Sequence, residues 1–497
     1  MNPRVFLIGA GPGDPGLLTL RGAELLGQAD VVLYDALSNA ALLAHAPGAE
    51  QICVGKHGQS RIWRQDEIIA EMLRHVRAGR TVARLKGGDP AVFARTAEEA
   101  GALRAAGIEF EIVPGITAAL AAGSYAGIPV TDRRFASAVA LVTGHEEPGK
   151  SESALDWEAL AKFPGTLVIY MGVTTVQSWT SALMQAGKPA ETPAAILRRC
   201  SLPDQQTVHC TLGEVAERLT PASKMRPPVI VIIGQVAAAE HALSWFDNRR
   251  LFGVSVLVTR AAQQADEISE PLRQLGAEVL TQPAIEIAPL ESTAELDREI
   301  DRIDRYDCVT FSSRNGVQHF LDRWLERRGD VRGLAGVQLA AVGARTAAAL
   351  ADYHLRADLQ GPELTAQSLA AVLAPSAAGK RFLLVRASRG PQTLPELLRA
   401  AGGEVQSVVA YEHRDVAVAD EALVQRMAEG KIDWVTVTSD AIAHSVVRLL
   451  GEHLRQVRLA SLSVGVTQTL DTLGYQVAVQ AAEPTMQSLV QAMVDEG

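Results

Sequence analysis

The sequence predicts an α/β protein built of several packing units. Three observations carry this. Short aliphatic strands alternate with amphipathic helices from end to end, which implies parallel or mixed sheets covered by helices. The chain has 497 residues, enough for three to five units at roughly 100–200 residues per domain. The second half also repeats itself. V-L-V-T-R ending at Arg260 returns as L-L-V-R ending at Arg386, and D-C-V-T-F-S-S from Asp307 returns as D-W-V-T-V-T-S from Asp433, each 126 residues on. A-V-G-A-R-T around Gly343 returns as S-V-G-V-T-Q-T around Gly465, 122 residues on. Three matches in one order at nearly one offset predict two similar α/β lobes within residues 251–497.

The elements follow from the pattern. Val5–Ile8, Val31–Tyr34, Val82–Leu85, Ala138–Val142, Leu167–Tyr170 and Val229–Ile233 are short aliphatic runs of strand length. Leu17–Ala29, Asp66–Val76 and Ala97–Ala106 carry the helical period between them. Around residue 250 the texture changes. Ser244–Gly253 is polar and basic with scattered aromatics, and a fresh strand runs from Val254 to Thr259. A domain boundary with a short linker is expected there. In the second half each repeat is a strand running into Ser or Thr and then a helix. Such a hydroxyl can cap the helix, or contact an anionic ligand at the strand end, and the pattern alone leaves both open.

Composition narrows the function. Lys and Arg number 47 against 57 Asp and Glu, a net charge of −10. That argues against a protein that coats nucleic acid. The four cysteines, Cys53, Cys200, Cys210 and Cys308, form no C-x-x-C pair and no Cys/His cluster of zinc spacing, so no metal is expected. Sparse cysteine fits a reducing cytoplasm. The start, M-N-P-R-V-F-L-I-G-A-G, reads as a strand rather than a signal peptide. The longest aliphatic runs, such as Val229–Ile233, are far too short to span a bilayer.

Gly9-Ala-Gly-Pro-Gly-Asp14 follows the first strand directly. As a dinucleotide fingerprint it is defective: Asp14 stands where the third glycine is due, and Pro12 removes an amide donor. A tight turn is the simpler reading, with a nicotinamide fold as the alternative. The ordered strings that follow decide the matter. V-A-R-L-K-G-G-D-P-A-V-F-A-R runs from Val82 to Arg95, then V-P-G-I-T-A-A from Val113, Y-A-G-I-P-V-T-D-R-R from Tyr125, V-T-G-H from Val142 and V-I-Y-M-G from Val168. Through them residues 3–245 resemble the uroporphyrinogen-III C-methyltransferases, of the tetrapyrrole methylase class.

The resemblance implies two α/β lobes, about 1–115 and 116–245, with S-adenosylmethionine folded into the cleft between them. It places Pro12 in the first glycine loop. Gly87, Gly88, Asp89 and Val92 would hold the methionine and ribose parts. Thr117, Ala118 and Met171 complete the donor site, together with Cys200, where family members often have glycine. The chemistry agrees: paired glycines let backbone approach a bulky ligand, and Asp89 can accept from a ribose hydroxyl or an ammonium. The resemblance also proposes Asp35 and Lys56 as base and acid, since carbon methylation requires the pyrrole ring to shed a proton. The ordinary alternative is an ion pair at the cleft edge. The family's substrate carries eight carboxylates, so Arg84 and Lys86 are expected to contact it, from a set that includes Arg61, Arg64, Arg95, Arg133 and Arg134. A homodimer through this half is expected.

Residues 251–497 resemble uroporphyrinogen-III synthase, through V-T-R, D-x-V-T-F-S-S-x-N-G-V, A-V-G-x-x-T-A, L-L-V-R, V-V-A-Y-E-H-R and D-W-V-T-V-T-S. That family also has two α/β lobes. Here they would be about 251–286 with 413–497, and 287–412, joined by crossover strands at Ala284–Ile287 and Val408–Tyr411. It closes linear hydroxymethylbilane into a ring without cofactor or metal. Tyr411 matches a tyrosine proposed as the weak acid, and its alternative is an amphipathic residue at the hinge. Ser313, Thr438, Ser439 and Thr467 are candidates for substrate carboxylates.

Together the resemblances imply a bifunctional cytoplasmic enzyme. It would make uroporphyrinogen III and methylate it twice to precorrin-2, on small-molecule substrates and without nucleic acid or membrane. The rivals are a methylase of the same fold acting on another precorrin or on ribosomal RNA, and a C-terminal half that binds a porphyrinogen without catalysis.

Overall fold

The structure, a computed structural model, describes residues 4–55, 63–146, 154–220, 223, 225–238, 243–363, 365–390 and 392–496. The chain divides into two compact units. One is Met1–Val254 with Leu272–Glu278, and the other is Ser255–Pro271 with Val279–Glu496.

The first unit holds two five-stranded sheets. Strands β1 (Val5–Gly9), β2 (Val31–Tyr34), β3 (Glu50–Cys53), β4 (Val82–Lys86) and β5 (Phe110–Val113) form an all-parallel sheet in the order β3-β2-β4-β1-β5. Strand side chains alternate between faces. Phe6, Ile8, Val32 and Leu85 therefore build one core, and Val5, Leu7, Val31 and Val82 build another. Helices cover both faces, which is why β1 is buried along its whole length. Strands β6 (Val139–Thr143), β7 (Thr166–Tyr170), β8 (Pro193–Arg198), β9 (Gln206–Thr211) and β10 (Val229–Ile233) form a mixed sheet in the order β6-β7-β10-β8-β9.

The six strands expected in this half fall within a residue of their observed bounds. The first helix is shorter than expected, Leu20–Leu26 rather than Leu17–Ala29. Pro15–Leu17 form a separate 3-10 turn, and the Thr19 hydroxyl accepts from the Gly22 amide to start the helix afresh. Ser244–Gly253 is no loose linker. The Trp245 and Phe246 rings pack on Tyr125, with centroids 5.2 and 4.7 Å away, and Leu251 is fully buried.

In the second unit the strands are β11 (Ser255–Val258), β12 (Glu278–Thr281), β13 (Ile285–Ala288), β14 (Cys308–Phe311), β15 (Gln338–Ala341), β16 (Leu359–Gln360), β17 (Arg381–Ala387), β18 (Glu404–Asp415), β19 (Trp434–Val437), β20 (Arg458–Ser461) and β21 (Val479–Gln480). They form two sheets, β12-β11-β19-β20-β21 and β13-β18-β17-β14-β15-β16. The repeat is structural as well as textual. β14 and β19 each run into a serine and a helix, and Ser313 and Ser439 share one backbone conformation (φ −159 and −160°). The crossover is the antiparallel pairing of Ile285–Ala288 with Glu412–Asp415. It lies beyond Val408–Tyr411, which still pair with β17. Among the described residues no helix is long and apolar enough to cross a membrane.

Candidate active sites

Three loops leave the C-terminal ends of β1, β4 and β5 and lock together. The Ala10 amide donates to the Lys86 carbonyl (2.7 Å), and Gly11 and Gly88 exchange two backbone hydrogen bonds (3.2 and 2.8 Å). Asp89 binds across the group: one carboxylate oxygen accepts from the Ala91 amide (2.7 Å), the other from the Gly115 amide (2.9 Å). The contact is too close for side chains. A Cβ on Gly9 would lie 2.5 Å from the Gly115 Cα, and one on Gly115 would lie 2.3 Å from the Gly88 carbonyl oxygen. The glycines of the first loop thus serve loop-to-loop packing.

Beside these loops lies a cavity of about 630 Å³, a size that takes a small organic ligand. Asp89, Val92 and Thr117 line it, together with Leu17, Leu120 and Tyr125, which the sequence did not single out. Tyr170, inside the V-I-Y-M-G string, orders its floor. Its hydroxyl bonds the Thr117 hydroxyl (2.6 Å) and accepts from the Ala119 amide (2.8 Å) at the start of helix Ala118–Tyr125. Burial pushes this phenol's pKa up, so it stays protonated. Ala118 is the first residue of that helix, while Pro12, Gly87 and Gly88 lie within the locked loops. Met171 follows β7, half-exposed and left-handed (φ +54°). Phe93, Arg95, Arg199 and Ser201 are left-handed too, and such strain gathers at ligand sites. Cys200 is buried, with its carbonyl facing Gly13. Burial pushes its thiol up to about 12, so it offers backbone rather than a thiolate.

The charged residues require a correction. Arg84 and Lys86, expected on the substrate, are 3% and 2% exposed. They sit on β4, an inner strand covered on both faces, and so need buried partners. Glu99, fully buried on the helix Thr96–Ala105, supplies them: 3.3 Å to the Arg84 Nε and 2.6 Å to the Lys86 Nζ. Desolvation lowers the Lys86 pKa. Arg84 also reaches Asp35 (2.5 Å), whose other oxygen accepts from the Gly87 amide (3.3 Å). Asp35 itself ends β2 with its side chain about one-third exposed. The expected base is therefore accessible and tied to the Gly87–Asp89 loop, whereas the two cations behind it are internal. Arg64, Arg95 and Arg134 are exposed and paired with Asp66, Glu98 and Asp132, and Arg133 is exposed. Lys56 and Arg61 lie outside the described residues.

In the second unit Tyr411 is 3% exposed, and its hydroxyl lies 3.0 Å from the Ser313 Oγ. The His319 ring stacks on it and the His413 ring meets it edge-on, with centroids 5.3 and 5.2 Å away. Burial raises the phenol's pKa and lowers both imidazoles', so all three are neutral near pH 7. Both serines are caps: Ser313 accepts from the Gly316 amide (3.0 Å) and Ser439 from the Ile442 amide (3.2 Å). The Thr467 hydroxyl lies between the Ser461 Oγ (2.6 Å) and the Gln480 Oε1 (2.8 Å). Thr438 precedes Ser439, partly exposed. Tyr411 and Ser313 thus meet in one lobe, and Thr438, Ser439 and Thr467 belong to the other. The lobes approach at strand C-terminal ends, where Glu267 pairs with Arg345 (2.5 Å) and Gln264 with Asn315 (3.5 Å). That is where open α/β sheets bind ligands.

Comparison with known proteins agrees with this division. Residues 4–216 match the family model of the tetrapyrrole (corrin/porphyrin) methylases, and residues 266–491 match that of uroporphyrinogen-III synthase HemD. The chain is 35% identical over 438 residues to a porphyrin biosynthesis protein HemD of Ruminiclostridium josui, covering 88% of this chain and 86% of that protein. It is 38% identical over 341 residues to a uroporphyrinogen-III C-methyltransferase of Bacillus subtilis, covering 68% and 70%. It is 47% identical over 234 residues to an S-adenosyl-L-methionine-dependent uroporphyrinogen III methyltransferase of Methanosarcina barkeri, covering 47% and 91%. With its two pairs of α/β lobes, the chain belongs to the porphyrin-biosynthesis family in which a tetrapyrrole methylase and a uroporphyrinogen-III synthase share one polypeptide.

Proposed function

We propose that the chain catalyses two consecutive steps of tetrapyrrole synthesis. The second unit cyclises hydroxymethylbilane to uroporphyrinogen III, and the first methylates that product twice to precorrin-2. The observation that carries the methylase reading is the cavity beside the locked loops, with Asp89, Val92 and Thr117 on its wall. Those residues fit S-adenosylmethionine: Asp89 would hold its ribose or ammonium, Val92 and Leu120 its apolar surface. When bound, the donor supplies an electrophilic methyl group. The names of the Bacillus and Methanosarcina relatives support the same substrate and donor.

The residues of the chain handle the proton. Asp35, held by Arg84 and the Gly87 amide, accepts a hydrogen bond from a pyrrole N–H. This raises electron density on the carbon that attacks the methyl, and Asp35 then takes up a ring proton. Lys56 is the proposed acid partner. Most of the acceleration comes from alignment of carbon and methyl. In the synthase half the terminal C–O bond breaks, and the Tyr411 phenol protonates the departing hydroxyl so that it leaves as water. Ring closure on the resulting azafulvene cation, in which the last ring breaks its bond to the neighbouring bridge carbon and re-forms it in the inverted sense, releases a carbon-bound proton that the phenolate reclaims. Neither cofactor nor metal enters this step. Four free cysteines support a reducing, cytoplasmic setting. Strand β6, at the sheet edge among the described residues with Val139 and Leu141 exposed, supports a homodimer, which sedimentation of the whole chain tests.

The deciding experiment is incubation of the whole chain with hydroxymethylbilane, with and without S-adenosylmethionine, followed by isomer and mass analysis. The expected product is uroporphyrinogen III alone without the donor, and a dimethylated product with it. The type I isomer would overturn the synthase reading, and an unmethylated product with donor present would overturn the methylase reading.

A further inference from the structure

The segment Leu243–Phe252 leads out of the methylase fold toward β11, yet it packs behind the wall of the cavity, against Ser124 and Tyr125. The Trp245 Nε1–H donates to the Ser124 carbonyl (2.9 Å), and Ser124 and Tyr125 both line that cavity. The Tyr125 ring lies against Trp245 and Phe246, and the Arg249 guanidinium covers those two rings (4.6 and 4.8 Å). The chain passes Gly127 so closely that a Cβ there would lie 2.3 Å from the Leu243 carbonyl carbon and oxygen.

A closed circuit of hydrogen bonds joins this segment to the first glycine loop. The Tyr125 hydroxyl donates to the Asp14 carboxylate (2.9 Å), and the Asp14 amide donates to the Ser201 Oγ (3.0 Å). The Ser201 amide donates to the Gln205 Oε1 (2.9 Å), and the Gln205 amide group returns to the Tyr125 carbonyl (3.3 Å). The same Gln205 amide group donates to the Asp247 carboxylate (2.9 Å). Asp14, Tyr125, Ser201 and Gln205 thus brace the cavity, and Asp247 and Trp245 are fastened to that brace.

We infer that Leu243–Phe252 braces the methyl-donor site from behind, with Trp245 and Asp247 as positioning residues that hold helix Ala118–Tyr125 against the first glycine loop. This rests on reading the cavity as the donor site. Trp245 touches no reacting atom in this scheme. It acts through Ser124 and Tyr125, so its loss shows in donor affinity rather than in the chemical step. Trp245 is half-exposed, so its truncation opens no core.

The test uses the full chain and S-adenosylhomocysteine as calorimetric probe. Trp245→Ala and Asp247→Ala should each weaken binding by about tenfold, from one lost hydrogen bond with or without an aromatic pair. KM for the donor should rise similarly, while kcat at saturating donor stays within about twofold. Trp245→Phe, which keeps the ring contact and loses the N–H, should fall between. The thermal unfolding of the methylase unit in the same samples reports its folding. Unchanged affinity in both alanine variants, or a loss confined to kcat, would overturn the inference. Asp89→Ala is measured in parallel to separate the two levels. If it leaves affinity unchanged, the cavity is not the donor site and the underlying reading fails. If it weakens binding while the connector variants do not, only the connector's role fails.

Discussion

At the scale of single residues, the methylase half turns on where charge is exposed and where it is enclosed. Asp35 stands at a strand end with its carboxylate reachable, and Arg84 behind it is internal. Asp35→Asn keeps the size, and in part the hydrogen bonds, but removes the base. Methyl transfer should slow by about a hundredfold or more, while S-adenosylhomocysteine affinity should hold. Near-normal turnover with saturating substrate would leave Asp35 a structural residue. Glu99 has the opposite character: it is fully buried, does not line that cavity, and compensates two enclosed cations. Breaking one partner of a buried pair typically costs about 3–5 kcal/mol, because the remaining charge is stranded. Glu99→Gln should therefore lower the denaturation midpoint of the methylase unit clearly. A change below about 1 kcal/mol would show that Asp35 alone suffices for both cations.

At the scale of elements, the Gly87–Asp89 loop, the proposed donor loop, is held by close backbone contact. Gly115→Ala puts a methyl 2.3 Å from the Gly88 carbonyl oxygen. Neither loop can give way without disturbing the other, so about 1–3 kcal/mol of stability should be lost and donor binding should fall with it. Calorimetry on a variant of unchanged melting temperature would refute this. In the synthase half the end of β18 is fastened by Asp415, which pairs with Arg389 (2.8 Å) and Arg448 (2.6 Å) and accepts from the Ser445 hydroxyl (2.6 Å). The Arg389 hydrogen bond comes first among the causes that hold its carboxyl well below the usual carboxylate range. A carboxyl depressed on folding stabilises the fold above its unfolded pKa, near 3.9, and that stability is lost as pH falls toward the folded value. Unfolding followed from pH 6 downward should show this loss in the wild type. Asp415→Asn should be less stable at pH 6 and flatter below pH 4, and an unchanged acid limb would count against the fastening.

For the whole molecule, the position of the division matters. A cut between residues 247 and 250 would leave Trp245 and Phe246 on Tyr125 but remove Arg249 and Phe252, which pack on those rings. The first compact unit runs to Val254. Expression of 1–254 and 255–497 as separate fragments should give a methylase and a synthase of measurable activity. The first should melt below the same unit in the intact chain, because Leu272–Glu278 group with it and would be absent. Tethering can raise only the local concentration of one site near the other. An inert or aggregated synthase fragment, with an active intact chain, would show that the division is wrong.

What the sequence determined by itself is what short-range pattern encodes. Aliphatic runs located six of the ten described strands of the first half to within a residue; Glu50–Cys53, Phe110–Val113, Pro193–Arg198 and Gln206–Thr211, more polar or mixed, were not singled out. The 126-residue repeat announced two like lobes, visible now in the matching caps at Ser313 and Ser439. The ordered motifs brought Asp89, Val92 and Thr117 to one cavity wall. The tertiary structure alone decided which partner each group meets. V-A-R-L-K reads as a cationic strand end until the fold encloses it and brings Glu99 across from another element. An Arg in a motif looks the same whether it faces solvent or a buried carboxylate. Likewise Ser244–Gly253 has the composition of a linker, and only the approach of Tyr125, Gln205 and Gly127, each distant in sequence, fastens it to the methylase unit. Periodicity is set by neighbours along the chain and can be read there. Burial and pairing are set by neighbours across it, and exist only once the lobes have closed.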